Sequence, residues 1–223
     1  MDKKIILAVL ALSLVAIVIG LAIPVAPPLP QQQTLPWQID TTAQGATRVF
    51  GLTLGGSTLR AAEQRFAAAA EISLFRAGDK TRVEAYFDKV TLGGLSARVV
   101  LVLQLPPADS ASMYQRGTRI STLGDGTHKV TLAAADLTAL RSAPIASLAY
   151  LPRVILDAAL LEKRFGPAAQ RVQEADSGTW HWQYPERGLD VALDSRGHAV
   201  FQYVAPGGFA ALSAPFMDKQ GIP

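Results

Sequence analysis

The sequence predicts an α+β fold, built of tandem helix-on-antiparallel-sheet units behind a single N-terminal transmembrane helix, and three observations predict it. Residues 5–23 form an apolar run without a charge. The stretch 156–206 opens with helical spacing, stops at Phe165-Gly166-Pro167, and breaks into short alternating runs around Trp180, Trp182, Tyr184, Val191, Leu193 and Tyr203. A fainter copy stands upstream. There Glu63-Gln64-Arg65-Phe66 matches Glu162-Lys163-Arg164-Phe165, and alternating runs at 82–86 and 97–105 follow it.

The apolar run is long enough, as a helix, to cross about 30 Å of hydrocarbon. Lys3 and Lys4 precede it and the next positive charge is Arg48, so the positive-inside bias keeps the N-terminus cytoplasmic. Gly20 and Ala22 offer a cleavage site for the competing signal peptide, but Ile23-Pro24 makes a poor mature start and the run exceeds the usual apolar length. The expectation is a signal-anchor over residues 1–23: single-pass, in the inner (cytoplasmic) membrane, with the C-terminal domain in the periplasm. Residues 24–36 carry Pro24, Pro27, Pro28, Pro30, Pro36 and three glutamines. They read as an extended spacer.

Composition fits an ordinary folded domain beyond the spacer. With 49% apolar and 17% charged residues in 223, the chain can bury one good core or two small ones. It has no cysteine, which removes disulfides, thiolate chemistry and a lipidated N-terminus. A net charge of +3 is too weak for the basic stripe that nucleic-acid binding demands.

The outward-facing domain, 37–223, divides into two related units, about 46–106 and 145–206, with a middle segment 107–144. Apolar Val49, Leu52 and Leu54 are followed by Gly55-Gly56-Ser57, a strand break that offers a cap for a helix ending at Phe66. Leu59, Ala62 and Phe66 recur at helical spacing. Residues 71–75 and 82–90 alternate on either side of the Ala77-Gly78-Asp79 turn. Gly93-Gly94 then leads into 95–105, whose centre is apolar on both faces and reads as a central strand. The middle segment gives a short helix at 108–116, a hairpin around Gly124-Asp125-Gly126, a second short helix at 133–140, and an apolar strand closed by Pro152. The later unit has a helix over 156–165, capped near Asp157 and ended by Gly166 and Pro167. Strands at 170–174, 179–184, 189–194 and 198–204 follow, separated by glycine-bearing turns. A last short helix begins at Phe209.

Gly51-Leu52-Thr53 before the first helix, Phe165-Gly166-Pro167 after the later one, Trp182 and Tyr184 leading into Gly188-Leu189-Asp190-Val191, and Asp194-Ser195-Arg196-Gly197 together carry a resemblance. The chain resembles the SmpA/BamE-like and beta-lactamase-inhibitor-like family of small envelope domains, over about residues 46–206. The resemblance implies a helix pair packed on one face of an antiparallel sheet, and protein-protein recognition in the envelope. In one branch that is assembly of outer-membrane proteins and in another inhibition of an enzyme. The assembly proteins are lipid-anchored through a cysteine this chain lacks.

Reactive constellations are sought next. His128, His181 and His198 fall in or beside predicted strands without a second ligand at metal spacing, and His181 is expected on a wet sheet face opposite Trp180 and Trp182. Asp176, Glu186 and Asp194 fall at turns, where acidic residues are expected for local reasons. No nucleophile elbow, phosphate loop or dinucleotide fingerprint is present. No catalytic, cofactor-binding or metal residue is therefore expected. Trp180, Trp182 and Tyr184 share one face, either as core under the helix or as an exposed platform, and they are the candidate protein-binding residues. The functional expectation is a membrane-tethered envelope protein that acts by binding another envelope protein, as an assembly or scaffolding adaptor. Its alternatives are an inhibitor of an envelope enzyme and a lipid or small-ligand binding module.

Overall fold

The structure is a computed structural model that describes residues 35–217. A small sheet of β1 (Ile39–Thr41), β2 (Thr47–Val49) and β3 (Leu52–Thr53) comes first, then helix α1 (Leu59–Phe66) and the meander β4 (Glu71–Ala77), β5 (Lys80–Leu92) and β6 (Leu95–Leu103). Next come α2 (Pro107–Gln115), the hairpin β7 (Arg119–Thr122) and β8 (His128–Thr131), α3 (Ala134–Leu140) and β9 (Ile145–Pro152). Helix α4 (Ala158–Phe165), strands β10 (Gln170–Gln173), β11 (Trp180–Tyr184), β12 (Leu189–Leu193) and β13 (Ala199–Val204), and helix α5 (Phe209–Met217) complete the described chain.

Strand outweighs helix, and this corrects the expected fold class. In place of two helix-on-sheet units there is one ten-stranded antiparallel sheet, ordered β10-β11-β12-β13-β9-β6-β5-β4-β8-β7. The physical reason is the pairing of β6 with β9, which runs from Ala97↔Pro152 to Leu103↔Ile145. Both strands bury their alternate residues Val99, Leu101, Leu148 and Tyr150 completely or nearly so. Left apart, each would present an unpaired apolar edge, which folded proteins avoid. Joining the two meanders removes both edges.

The expected transmembrane helix is also corrected. Among the described residues no helix is long and apolar enough to cross a membrane, and residues 5–23, on which the expectation fell, lie outside them. The longest described helices have 9 residues, or about 14 Å of rise against the roughly 30 Å required.

Helices α1 to α4 and the small sheet cover one face of the large sheet, and local sequence features seat them there. Helix α1 is capped by the Thr58 hydroxyl, which accepts from the Ala61 amide, and it buries Leu59, Ala62 and Phe66 at helical spacing. Phe66 meets Phe87 of β5 edge-on at 5.1 Å. Helix α4 is capped by Asp157, whose Oδ1 accepts from the Leu160 amide at 2.7 Å, and its Phe165 packs on Tyr184 and Phe201. Tyr114 of α2 stacks on His128 of β8, with hydroxyl and Nδ1 2.9 Å apart.

The small sheet is pinned at the join between the meanders. Its β2–β3 turn places Phe50 at φ 53, a left-handed conformation that a bulky residue adopts only at a cost. The fully buried Phe50 ring compensates by packing on Tyr150 and Tyr203, at 5.0 and 5.9 Å. Thr47 Oγ1 donates to the Val204 carbonyl at 2.7 Å. Beside it Gly188 (φ 60) lies so close to the Val204 carbonyl that a Cβ there would collide with it. Gly188→Ala is therefore expected to cost about 3 kcal/mol in a thermal or denaturant melt. Gly207→Ala, with open space around it, should stay within about 0.5 kcal/mol.

Candidate binding surface on the second face of the sheet

Side chains alternate across a strand, so the residues between the core positions form a second face. On a solvated antiparallel sheet that face is normally polar. Here it is not. The register aligns Val100 with Ala149 and Ala149 with Gln202 in one row, and Val102 with Ser147 and Ser147 with Val204 in the next. Arg98 stands opposite Leu151 in a third row. Val100, Val102, Ala149, Leu151, Val200 and Val204 are all half-buried, neither in the core nor free in water.

Together with Glu84 of β5, these residues floor a trough across β5, β6, β9 and β13. Its apolar part encloses about 370 Å³ and is walled on one side by Leu212 of α5. An adjoining depression of about 420 Å³ is lined by Arg98, Arg153 and Ile155. The two share Leu151 and Val200, so the surface is continuous from valines to arginines.

Most charges around the trough are already matched. Arg153 reaches the Asp88 carboxylate at 3.2 Å and the Asp88 carbonyl at 2.9 Å. The Tyr86 hydroxyl donates to the same carboxylate at 2.9 Å, and that bond, with some burial, raises the phenol above its ordinary range. Glu84 pairs with Arg82 at 2.6 Å. His198 pairs with Asp194 at 2.9 Å. Arg98 is exposed and makes no ion pair or hydrogen bond with the described residues.

Toward β10 the same face becomes polar and closed. His181 is buried, its Nδ1 2.7 Å from Asp190 Oδ2 and its Nε2 3.4 Å from Glu174 Oε1. Burial is the largest single influence on this imidazole and lowers its pKa. The Asp190 hydrogen bond and charge, with Glu174 behind them, outweigh it and leave the pKa raised. His181 does lie opposite Trp182 across the strand, but it is dry where the sequence expectation was a wet face.

The aromatic stripe divides. Trp182 and Tyr184 are 1% and 5% exposed and belong to the core, whereas Trp180 is 38% exposed. The Tyr184 hydroxyl donates to the Gly166 carbonyl at 3.0 Å. Arg171 lies over both indoles, 5.2 Å from Trp180 and 4.7 Å from Trp182, and pairs with Glu162 at 3.3 Å. Only Trp180 remains on the surface to meet a partner. Trp180→Ala is expected to change stability by less than about 1 kcal/mol and Trp182→Ala by about 3–5 kcal/mol in urea melts.

A second apolar feature, the notch between α4 and Trp37, holds only about 30 Å³. Tyr150 lines it, and burial pushes its phenol up to about 12. Among the described residues no group of three or more His, Asp or Glu could hold a metal.

The trough residues were missed at the level of sequence, although the signal was there. Apolar Val100 and Val102 alternate with the core residues of β6, and Val200 and Val204 do the same in β13. From the sequence, 95–105 reads as a central strand apolar on both faces, and 198–204 only as a strand of the later meander. Comparison of the chain with protein-family models, curated proteins and solved structures finds no match.

Proposed function

We propose that the domain is a protein-binding module of the cell envelope and that the trough is its binding surface. The observation that carries this is the cluster of half-buried branched aliphatics on three adjacent strands, Val100 and Val102 of β6, Leu151 of β9, and Val200 and Val204 of β13. Each such side chain gains on the order of 1 kcal/mol when a partner completes its burial. The envelope setting is supported by the sequence alone, through the resemblance to the SmpA/BamE-like and beta-lactamase-inhibitor-like family.

The test is photocrosslinking in living cells with the full-length chain, from a photoreactive residue at Val200 and, for comparison, at Ile120 on the far edge strand β7. A discrete protein adduct from Val200 and none from Ile120 is the expected result. Equal adducts from both positions, or none from Val200, would overturn the proposal.

A further inference from the structure

We infer that the occupant of the trough is an amphipathic α-helix of about three turns, with an acidic residue at the end that meets Arg98. This deepens the proposed function and rests on the trough being the binding surface.

The backbone excludes one common alternative. Strands β5, β6, β9 and β13 are each hydrogen-bonded on both sides within the sheet. Their N–H and C=O groups are satisfied, so a partner strand has no edge there to extend. Recognition must use side chains on the face.

Dimensions decide among the partners that remain. Four strands span three steps of about 4.8 Å, or roughly 14 Å. From the Arg98 row to the Val102 row is four residues of β6, about 13 Å at the usual strand rise. The floor is therefore on the order of 200 Å², far below the roughly 800 Å² per partner that a stable folded complex or homodimer buries. A second copy of the chain gains too little here. One helix, about 10–12 Å across with side chains, fills the width, and about 10 residues fill the length. Leu212 of α5, which walls the trough, already places an apolar helix residue against this face, and the incoming helix would lie beside it. Its apolar anchors at positions i, i+3, i+4 and i+7 would seat on Val100, Val102, Leu151 and Val200.

Charge sets the remaining feature. Arg153, Glu84 and His198 have intramolecular partners. Arg98 makes no ion pair or hydrogen bond among the described residues, its charge reaching only the Tyr86 phenol, and it adjoins an apolar surface that a bound helix would dry. A carboxylate from the occupant supplies the missing charge, and a lysine there would be repelled.

A phage-displayed library of helical peptides of about 14 residues, selected against the full-length chain and followed by fluorescence anisotropy on the winners, tests this directly. Winners should show helical apolar periodicity with Asp or Glu near one end. Arg98→Glu should weaken them by about tenfold or more, and replacing their acidic residue with Lys should restore binding to that variant. Val102→Asp should abolish binding. If that variant fails to fold, the exposed Arg98 decides alone. An empty selection, winners without helical periodicity, or winners indifferent to Arg98→Glu would overturn the inference. So would saturable binding of oleate or phosphatidylglycerol vesicles that Arg98→Glu weakens while no peptide binds. Protein adducts from Val200 alongside any of these results would leave the binding surface standing and remove only the helix.

Discussion

Phe165→Ala is expected to destabilise the domain by about 3–5 kcal/mol, the range for a buried phenylalanine that leaves a cavity. Phe165 ends α4 and is 3% exposed. Its ring sits 5.9 Å from Tyr184 and 5.7 Å from Phe201, with Trp37 edge-on at 6.5 Å. Those partners come from two strands and from the chain before β1, so they cannot all collapse into the space left behind. Phe66→Ala, at the end of α1 against Phe87, should fall at the lower end of the same range, because Phe66 is 8% exposed. Leu160→Ala, on the outer side of α4, should cost less than about 1 kcal/mol. Denaturant melts of the full-length chain check all three. The expected pattern is a lowered midpoint with an unchanged slope for the phenylalanine variants, and a near-neutral result for Phe165 would contradict the packing of α4 on the sheet.

Asp190→Ala should be as costly, about 3–5 kcal/mol, because it leaves a buried imidazole without the carboxylate that holds it. The pair also has a pH signature. The folded pKa of His181 is raised above the unfolded value, which is about 6.5. The folded state therefore binds the proton more tightly. Its contribution to stability is complete below about pH 6.5 and is lost as pH rises through the folded pKa. Melts from about pH 5.5 to 8.5 should show wild-type stability falling relative to His181→Gln, which carries no titrating group there. In Asp190→Asn burial is no longer outweighed by the nearest carboxylate, so the fall should flatten or reverse. A wild-type difference that rises with pH would mean that desolvation controls this imidazole.

Local structure was legible because its determinants are local. The helix ending at Phe66, the turns at Gly78 and Gly93-Gly94, the hairpin around Asp125, and the four strands after α4 all stand within a residue or two of where spacing places them. Displacements at the ends follow from capping. Thr58 takes the α1 cap, while the neighbouring Ser57 hydroxyl accepts from the Thr53 amide at 2.9 Å. Helix α4 starts after Asp157, two residues later than its apolar period suggests.

Assembly was not legible, because it depends on contacts far apart in the chain. The β6–β9 pairing joins residues about fifty positions apart, and no turn or period in either strand announces it. The polar cluster was hidden for a similar reason. His181 and Asp190 lie on adjacent strands, where Gln183 faces Asp190 and His181 faces Ala192, so the histidine and carboxylate meet on the diagonal. With the register known, that meeting is readable. Without it, His181 is one polar residue among alternating aromatics. Trp180, Trp182 and Tyr184 do alternate on one face as read, yet position along the strand separates them, because Trp180 lies past the cover that α4 gives to Trp182.

Val102→Asp tests the binding surface most directly. Val102 is half-buried on the second face and stands directly opposite Glu84 of β5, so an aspartate there faces a like charge and the melt should fall by about 1–3 kcal/mol while the transition stays cooperative. A charge on the trough floor must nevertheless be dried before any apolar partner can seat there. In the full-length chain carrying the photoreactive residue at Val200, Val102→Asp is expected to eliminate the protein adduct while the protein remains cooperatively folded at the temperature of crosslinking. Undiminished adduct in a folded Val102→Asp variant would contradict the assignment of the trough as the binding surface.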